Sequence, residues 1–156
     1  MKNSIGLDKE KVKVLTDKLN DLLANYQLYY QNLRGFHWNL KGNHFFTLHN
    51  KFEELYNAAQ LSIDEIAERI VTLEAVPLHT YSDYLNHSTI KEHKNVTTSH
   101  DTVTKTVSSL TTLIEKERDT LNSANDAGDE STVDLMTQLI AFQEKTIWML
   151  NSFNHK

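Results

Sequence analysis

The stretch that decides the fold runs from His37 to Glu68, HWNLKGNHFFTLHNKFEELYNAAQLSIDEIAE. Gly42 breaks one helical pattern, and a second begins at Phe45–Thr47. Downstream, Leu48, Phe52, Leu55, Tyr56, Ala59, Ile63, Ile66, Ile70 and Leu73 recur at steps of three and four, which is one face of a helix. Upstream, Val12, Leu15, Leu19, Leu22, Leu23, Tyr26, Tyr30, Leu33 and Phe36 do the same. The spacing predicts helices over about 8–41 and 45–75. Asp8 caps the first, and Pro77 ends the second, because the residue before proline disfavours the helical region. A connection of a few residues folds the pair into an antiparallel hairpin.

Working outward, residues 76–96 read as irregular, with a short helix from Tyr81 capped by Ser82 or Asp83. A third long helix is predicted over 99–125, with its stripe at Val103, Val107, Leu110, Leu113, Ile114 and Leu121. Asn125-Asp-Ala-Gly-Asp is a turn cluster, and the last helix covers 130–153. One proline and four glycines fit long unbroken helices. Four of them, with a single long connection between the second and third, predict an all-α, ferritin-like four-helix bundle with a short helix in that connection. Residues 1–156 read as a single domain, with a short frayed tail over about 1–7.

Composition narrows the function. Hydrophobic residues make up 39%, enough for a core, and no apolar run reaches membrane-spanning length. There is no cysteine, which removes disulfides, thiolate metal sites and cysteine catalysis, and fits a cytoplasmic protein. The N-terminus lacks the apolar segment of a secretory signal. A net charge of −5 argues against a whole-surface affinity for nucleic acid.

The opening stretch holds His37, His49, Glu53, Asp64 and Glu68, all metal-binding residue types. His49 and Glu53 are four apart, as are Asp64 and Glu68, so each pair shares a helical face. Fifteen residues separate His49 from Asp64, roughly 22 Å along one helix, too far for one metal site. The Glu-x-x-His motif of an internal di-iron centre does not occur. Two readings stay open. The acids are ordinary solvent-facing residues, His49 flanks core Leu48 and His37 is a hydrogen-bonded interior histidine; or two chains pair about a two-fold axis with their second helices antiparallel. In that pairing the histidines of one chain meet the carboxylates of the other, giving two equivalent sites.

At Phe36-His-Trp-Asn-Leu-Lys-Gly, Phe45-Phe-Thr-Leu-His-Asn-Lys-Phe-Glu-Glu-Leu-Tyr and Asp64-Glu-Ile-Ala-Glu-Arg-Ile the chain resembles the Dps family of mini-ferritins, named for DNA protection in starved cells. Glu130-Ser-Thr-Val-Asp-Leu-Met and Glu144-Lys-Thr-Ile-Trp-Met-Leu extend the resemblance over nearly the whole chain. It implies a hollow homododecamer that oxidises Fe(II), with hydrogen peroxide as the favoured oxidant, and stores ferric mineral against oxidative damage. Carried over by position, two irons would lie in each inter-subunit centre. His37 and His49 come from one subunit, and Asp64 and Glu68 from its partner. Glu68 bridges, and Glu53 helps hold the second iron. Trp38 is a candidate electron donor for stray oxidant, against the plainer reading of core packing.

The resemblance also implies iron entry through pores near the start of the last helix. Asp129 and Asp134 match, with Asp126 and Glu130 nearby. Acids there equally cap a helix and suit its dipole. DNA binding by the family uses long lysine-rich tails. Here the segment ahead of the first helix carries little beyond Lys2, so binding is expected to be weak or absent. The competing reading is a DNA-compacting nucleoid protein with iron sequestration secondary.

Overall fold

In a computed structural model describing residues 1–155, the chain forms five helices: α1 (Lys9–Asn39), α2 (Phe45–Thr72), α3 (Tyr81–His87), α4 (Ser99–Ala127) and α5 (Glu130–Phe153). The four long ones make the bundle. α1 packs on both α2 and α4, α4 packs on α5, and the short α3 lies against α1. The core runs down the middle, from Leu15, Leu19 and Leu22 of α1 to Phe52, Ile66 and Ile70 of α2, Val103 and Leu110 of α4, and Met136 of α5. None of the described helices is long and apolar enough to cross a membrane.

Asp8 caps α1 as expected, accepting from the backbone N–H groups of Glu10 and Lys11. Those bonds favour the charged carboxylate and hold its pKa below the usual range. Other helix ends fall differently from the sequence reading. α1 stops at Asn39 and α2 at Thr72, before Gly42 and Pro77 intervene. α3 is capped by Thr80, whose hydroxyl accepts from Asp83 N–H, and not by Ser82 or Asp83. α4 runs through Asn125 and Asp126 to Ala127, where Gly128 adopts the left-handed conformation (φ 69°) that ends a helix without a Cβ clash.

The N-terminal segment is folded, not frayed. Asn3 Oδ1 accepts from the N–H groups of Ile5 and Leu7, and Lys9 N–H donates to Met1 O. Ser4 N–H donates to Glu74 Oε1 at 2.8 Å, tying the segment to the end of α2.

The long connection between α2 and α4 is anchored by buried asparagines of α1. Asn25 Oδ1, fully buried on α1, accepts from Ser88 Oγ, Thr89 N–H, Thr89 Oγ1 and Ile90 N–H. Asn32 does the same further along, accepting from His93 N–H and donating to Lys91 O. Asn25→Ala would leave backbone donors of the crossover without a partner. We expect a loss of about 3 kcal/mol in denaturant unfolding, since each unsatisfied buried group costs ~1–3 kcal/mol.

Candidate metal centre

The α1–α2 hairpin brings His37 and His49 face to face. Their rings stack at 3.7 Å between centroids with 12° between planes. The contact is reciprocal: His37 Nδ1 lies 2.7 Å from His49 O, and His49 Nδ1 lies 2.8 Å from His37 O. A ring nitrogen against a carbonyl must carry the hydrogen and donate it. Both rings are therefore fixed as the Nδ1–H tautomer, with Nε2 left as a lone-pair donor, the arrangement that second-sphere contacts impose on metal-binding histidines. His37 O is one of the last carbonyls of α1, which have no partner within the helix, so the bond also satisfies a helix end. The edge of Tyr56 packs on His37 at 5.3 Å, and Phe45 stacks on His49 at 4.9 Å. His37 is 7% exposed.

Glu53 is exposed one turn beyond His49 on α2. Asp64 and Glu68 are exposed further along the same helix, next to an open groove lined by Asn57, Gln60, Leu61, Ile63 and Ala67. Leu61 on this face is a large exposed apolar side chain. Among the described residues, no three metal-binding side chains come together in one chain. Within one chain, the histidine pair and the carboxylate pair therefore lie apart.

Trp38 is 57% exposed, which excludes core packing within the chain. The Arg34 guanidinium sits 4.9 Å from its ring centroid and 5.3 Å from that of Tyr30, and Tyr30 meets Tyr56 edge-on at 6.1 Å. Aromatic and cationic groups therefore form an unbroken series of contacts from Trp38 through Arg34, Tyr30 and Tyr56 to the ring of His37.

The acids at the start of α5 divide. Asp126, Glu130 and Asp134 are exposed. Asp129 is 3% exposed and turned inward. One oxygen caps α5 by accepting from Thr132 N–H and pairs with Arg69 Nη2 at 2.6 Å; the other accepts from Thr132 Oγ1. Arg69 Nε donates to Thr132 Oγ1 as well. The capping role wins at this position, because the carboxylate is consumed by the α2–α5 clamp and is not free to line an opening. Sequence reasoning passed over Arg69 because its partners lie about sixty positions away.

With this geometry in place, comparison with known proteins is specific. The model of the ferritin-like domain matches residues 16–156. The DNA protection during starvation protein of Porphyromonas gingivalis is 40% identical over 97% of this chain and 95% of its own length. The crystal structure of a Dps protein from Vibrio cholerae O1, described as a member of the ferritin-like diiron-carboxylate superfamily, superposes with a TM-score of 0.96 at 47% identity, covering 97% of this chain and 96% of that one. That of a Dps protein from Bacillus brevis gives 0.90 at 35% identity, covering 98% and 99%. The bundle with its single crossover is the ferritin-like fold, and the chain belongs to the Dps family.

Proposed function

We propose that this protein oxidises Fe(II) at centres built between two copies of the chain, and stores the ferric product inside a homododecameric shell. His37 and His49 of one chain, helped by Glu53, face Asp64 and Glu68 of another, and Glu68 bridges two iron ions. The observation that carries the reading is the reciprocal histidine pair. Both rings are pre-set with Nε2 available, yet the acids that would complete the coordination lie on a distant turn of the same helix. A two-fold axis across α2 brings the halves together and makes two equivalent centres per dimer. The exposed Leu61 and the groove beside Asp64 supply apolar surface for such pairing.

Imidazole and carboxylate donors suit iron and leave positions open for an oxidant. Two Fe(II) ions and one hydrogen peroxide, with two protons, give two Fe(III) and two waters. Both electrons are delivered together, so the O–O bond is cleaved without release of hydroxyl radical. Peroxide as the favoured oxidant is taken from the resemblance to the Dps family, and its consumption would give the protein its role against oxidative damage in the cytoplasm. Trp38 and its neighbours Tyr30 and Tyr56 stand where they could donate an electron to oxidant that escapes. Asp126, Glu130 and Asp134 would draw cations toward an entry pore. The folded residues 1–8 are tied to α1 and α2, which supports weak or no DNA binding by this segment.

The test is direct. Purified protein should elute as a particle of twelve chains by light scattering. Anaerobic Fe(II) loading followed by peroxide should produce a ferric core inside it, consuming about one peroxide per two irons. A monomer or dimer in solution, or oxidation no faster than in protein-free buffer, would sink the reading.

A further inference from the structure

The centre of the bundle contains a titratable group that the iron chemistry does not use. Glu117 of α4 is fully buried, at the position where the stripe Leu110, Leu113, Ile114 would continue inward. Tyr26 Oη of α1 donates to its Oε2 at 3.4 Å, and Gln143 Nε2 of α5 donates to Tyr26 Oη. Two buried oxygens of this cluster, Glu117 Oε1 and Gln143 Oε1, have no hydrogen-bond donor among the described residues. A carboxylate offers only acceptors, so the ionised cluster is one donor short. One proton on Glu117 supplies that donor.

We propose that Glu117 is a proton-holding site whose neutral carboxyl accepts from Tyr26 and supplies the hydrogen that the buried Tyr26–Glu117–Gln143 cluster lacks, locking α1, α4 and α5 at the bundle centre until the proton is lost. The surroundings agree. From α1 the carboxyl meets Tyr26 and Tyr29, both kept as neutral phenols by burial. From α5 it meets the uncharged Gln143. α2 brings only Leu55, Ala58, Ala59 and Ser62 to the adjoining cavity. Among the described residues the neighbouring cations on α4 are both paired elsewhere, exposed Arg118 with Glu144 and Lys116 with Asp21. Burial therefore dominates and pushes the Glu117 carboxyl up to about 8, against smaller opposing pulls from Tyr26, Gln143 and Arg118.

The sign follows from linkage. An unfolded chain ionises this carboxyl near its ordinary value, while the folded chain keeps the proton until about pH 8. Between those values the unfolded state binds fewer protons, so stability falls as pH rises, and above about 8 it levels off. Glu117→Gln, which mimics the neutral acid, should remove this dependence. Measured on the assembled protein at fixed concentration, the unfolding constant of the wild type relative to Glu117→Gln should rise about tenfold per pH unit across that window. Infrared spectra of the assembled protein at pH 7 should show a protonated carboxyl C=O band absent from Glu117→Gln. A ratio flat with pH, destabilisation or misfolding of Glu117→Gln at pH 7, or absence of the band would each overturn the proposal.

Discussion

Shells assembled from an equal mixture of two inactive chains should recover about a quarter of wild-type Fe(II) oxidation, if dimers form at random. One parent carries His37→Ala and His49→Ala; the other carries Asp64→Ala and Glu68→Ala. Each alone has no complete centre and should oxidise Fe(II) at the protein-free rate. In a mixed dimer, one centre takes histidines from the first parent and acids from the second, and is doubly defective. The other combines intact histidines with intact acids. Half of random dimers are mixed and half of their centres are whole, hence the quarter. Asp64 and Glu68 are exposed and His49 is half-buried, whereas His37 is buried near the end of α1, so the helix content and assembly of the histidine-deleted parent are checked by circular dichroism and light scattering before mixing. Stopped-flow oxidation after co-refolding reads the result. If the mixture stays as inactive as its parents while assembling normally, the centre is not shared between chains.

Asp129→Ala should cost about 3 kcal/mol and lower the melting temperature by roughly 10 °C, with the assembled protein compared at one concentration. The carboxylate caps α5 and neutralises a guanidinium that is itself mostly covered, so its loss removes the cap and strands Arg69. Asp129→Asn should retain the cap and lose only the ion pair, giving a smaller defect. Asp126, Glu130 and Asp134 are exposed, and their substitution should leave stability within about 0.5 kcal/mol while slowing iron uptake. A stable Asp129→Ala with slow uptake would return this residue to the pore.

The helices were legible in the sequence because buried apolar residues recur at helical steps. Their ends were less so, because the apolar stripe records what is buried rather than what is helical. Leu40 and Leu73 are both almost fully buried yet lie just past their helices, so the apolar pattern runs on where the helical backbone has stopped. Asn125 and Asp126 are turn-forming by composition, but Gly128 sets the true end. The His37–His49 meeting was legible from the hairpin. Its reciprocal hydrogen bonds were not, since backbone carbonyls leave no mark in a sequence. Asn25 and Glu117 are polar residues on apolar stripes, at steps of three from Leu22 and Ile114. That misfit was the available signal. Their partners, some sixty-five and twenty-six to ninety-one residues away, could be supplied only by the fold.

The acceptors that orient the two histidines are main-chain carbonyls, and this has an evolutionary corollary. A carboxylate in that role could be lost by a single base change, whereas no side-chain replacement deletes a peptide oxygen. The orientation of the two rings is instead encoded in the register of α1 against α2 and so in the length of the Leu40–His44 connection. Drift in amino-acid identity around the pair is thereby tolerated, while insertions and deletions between Leu40 and His44 are the changes that would be purged.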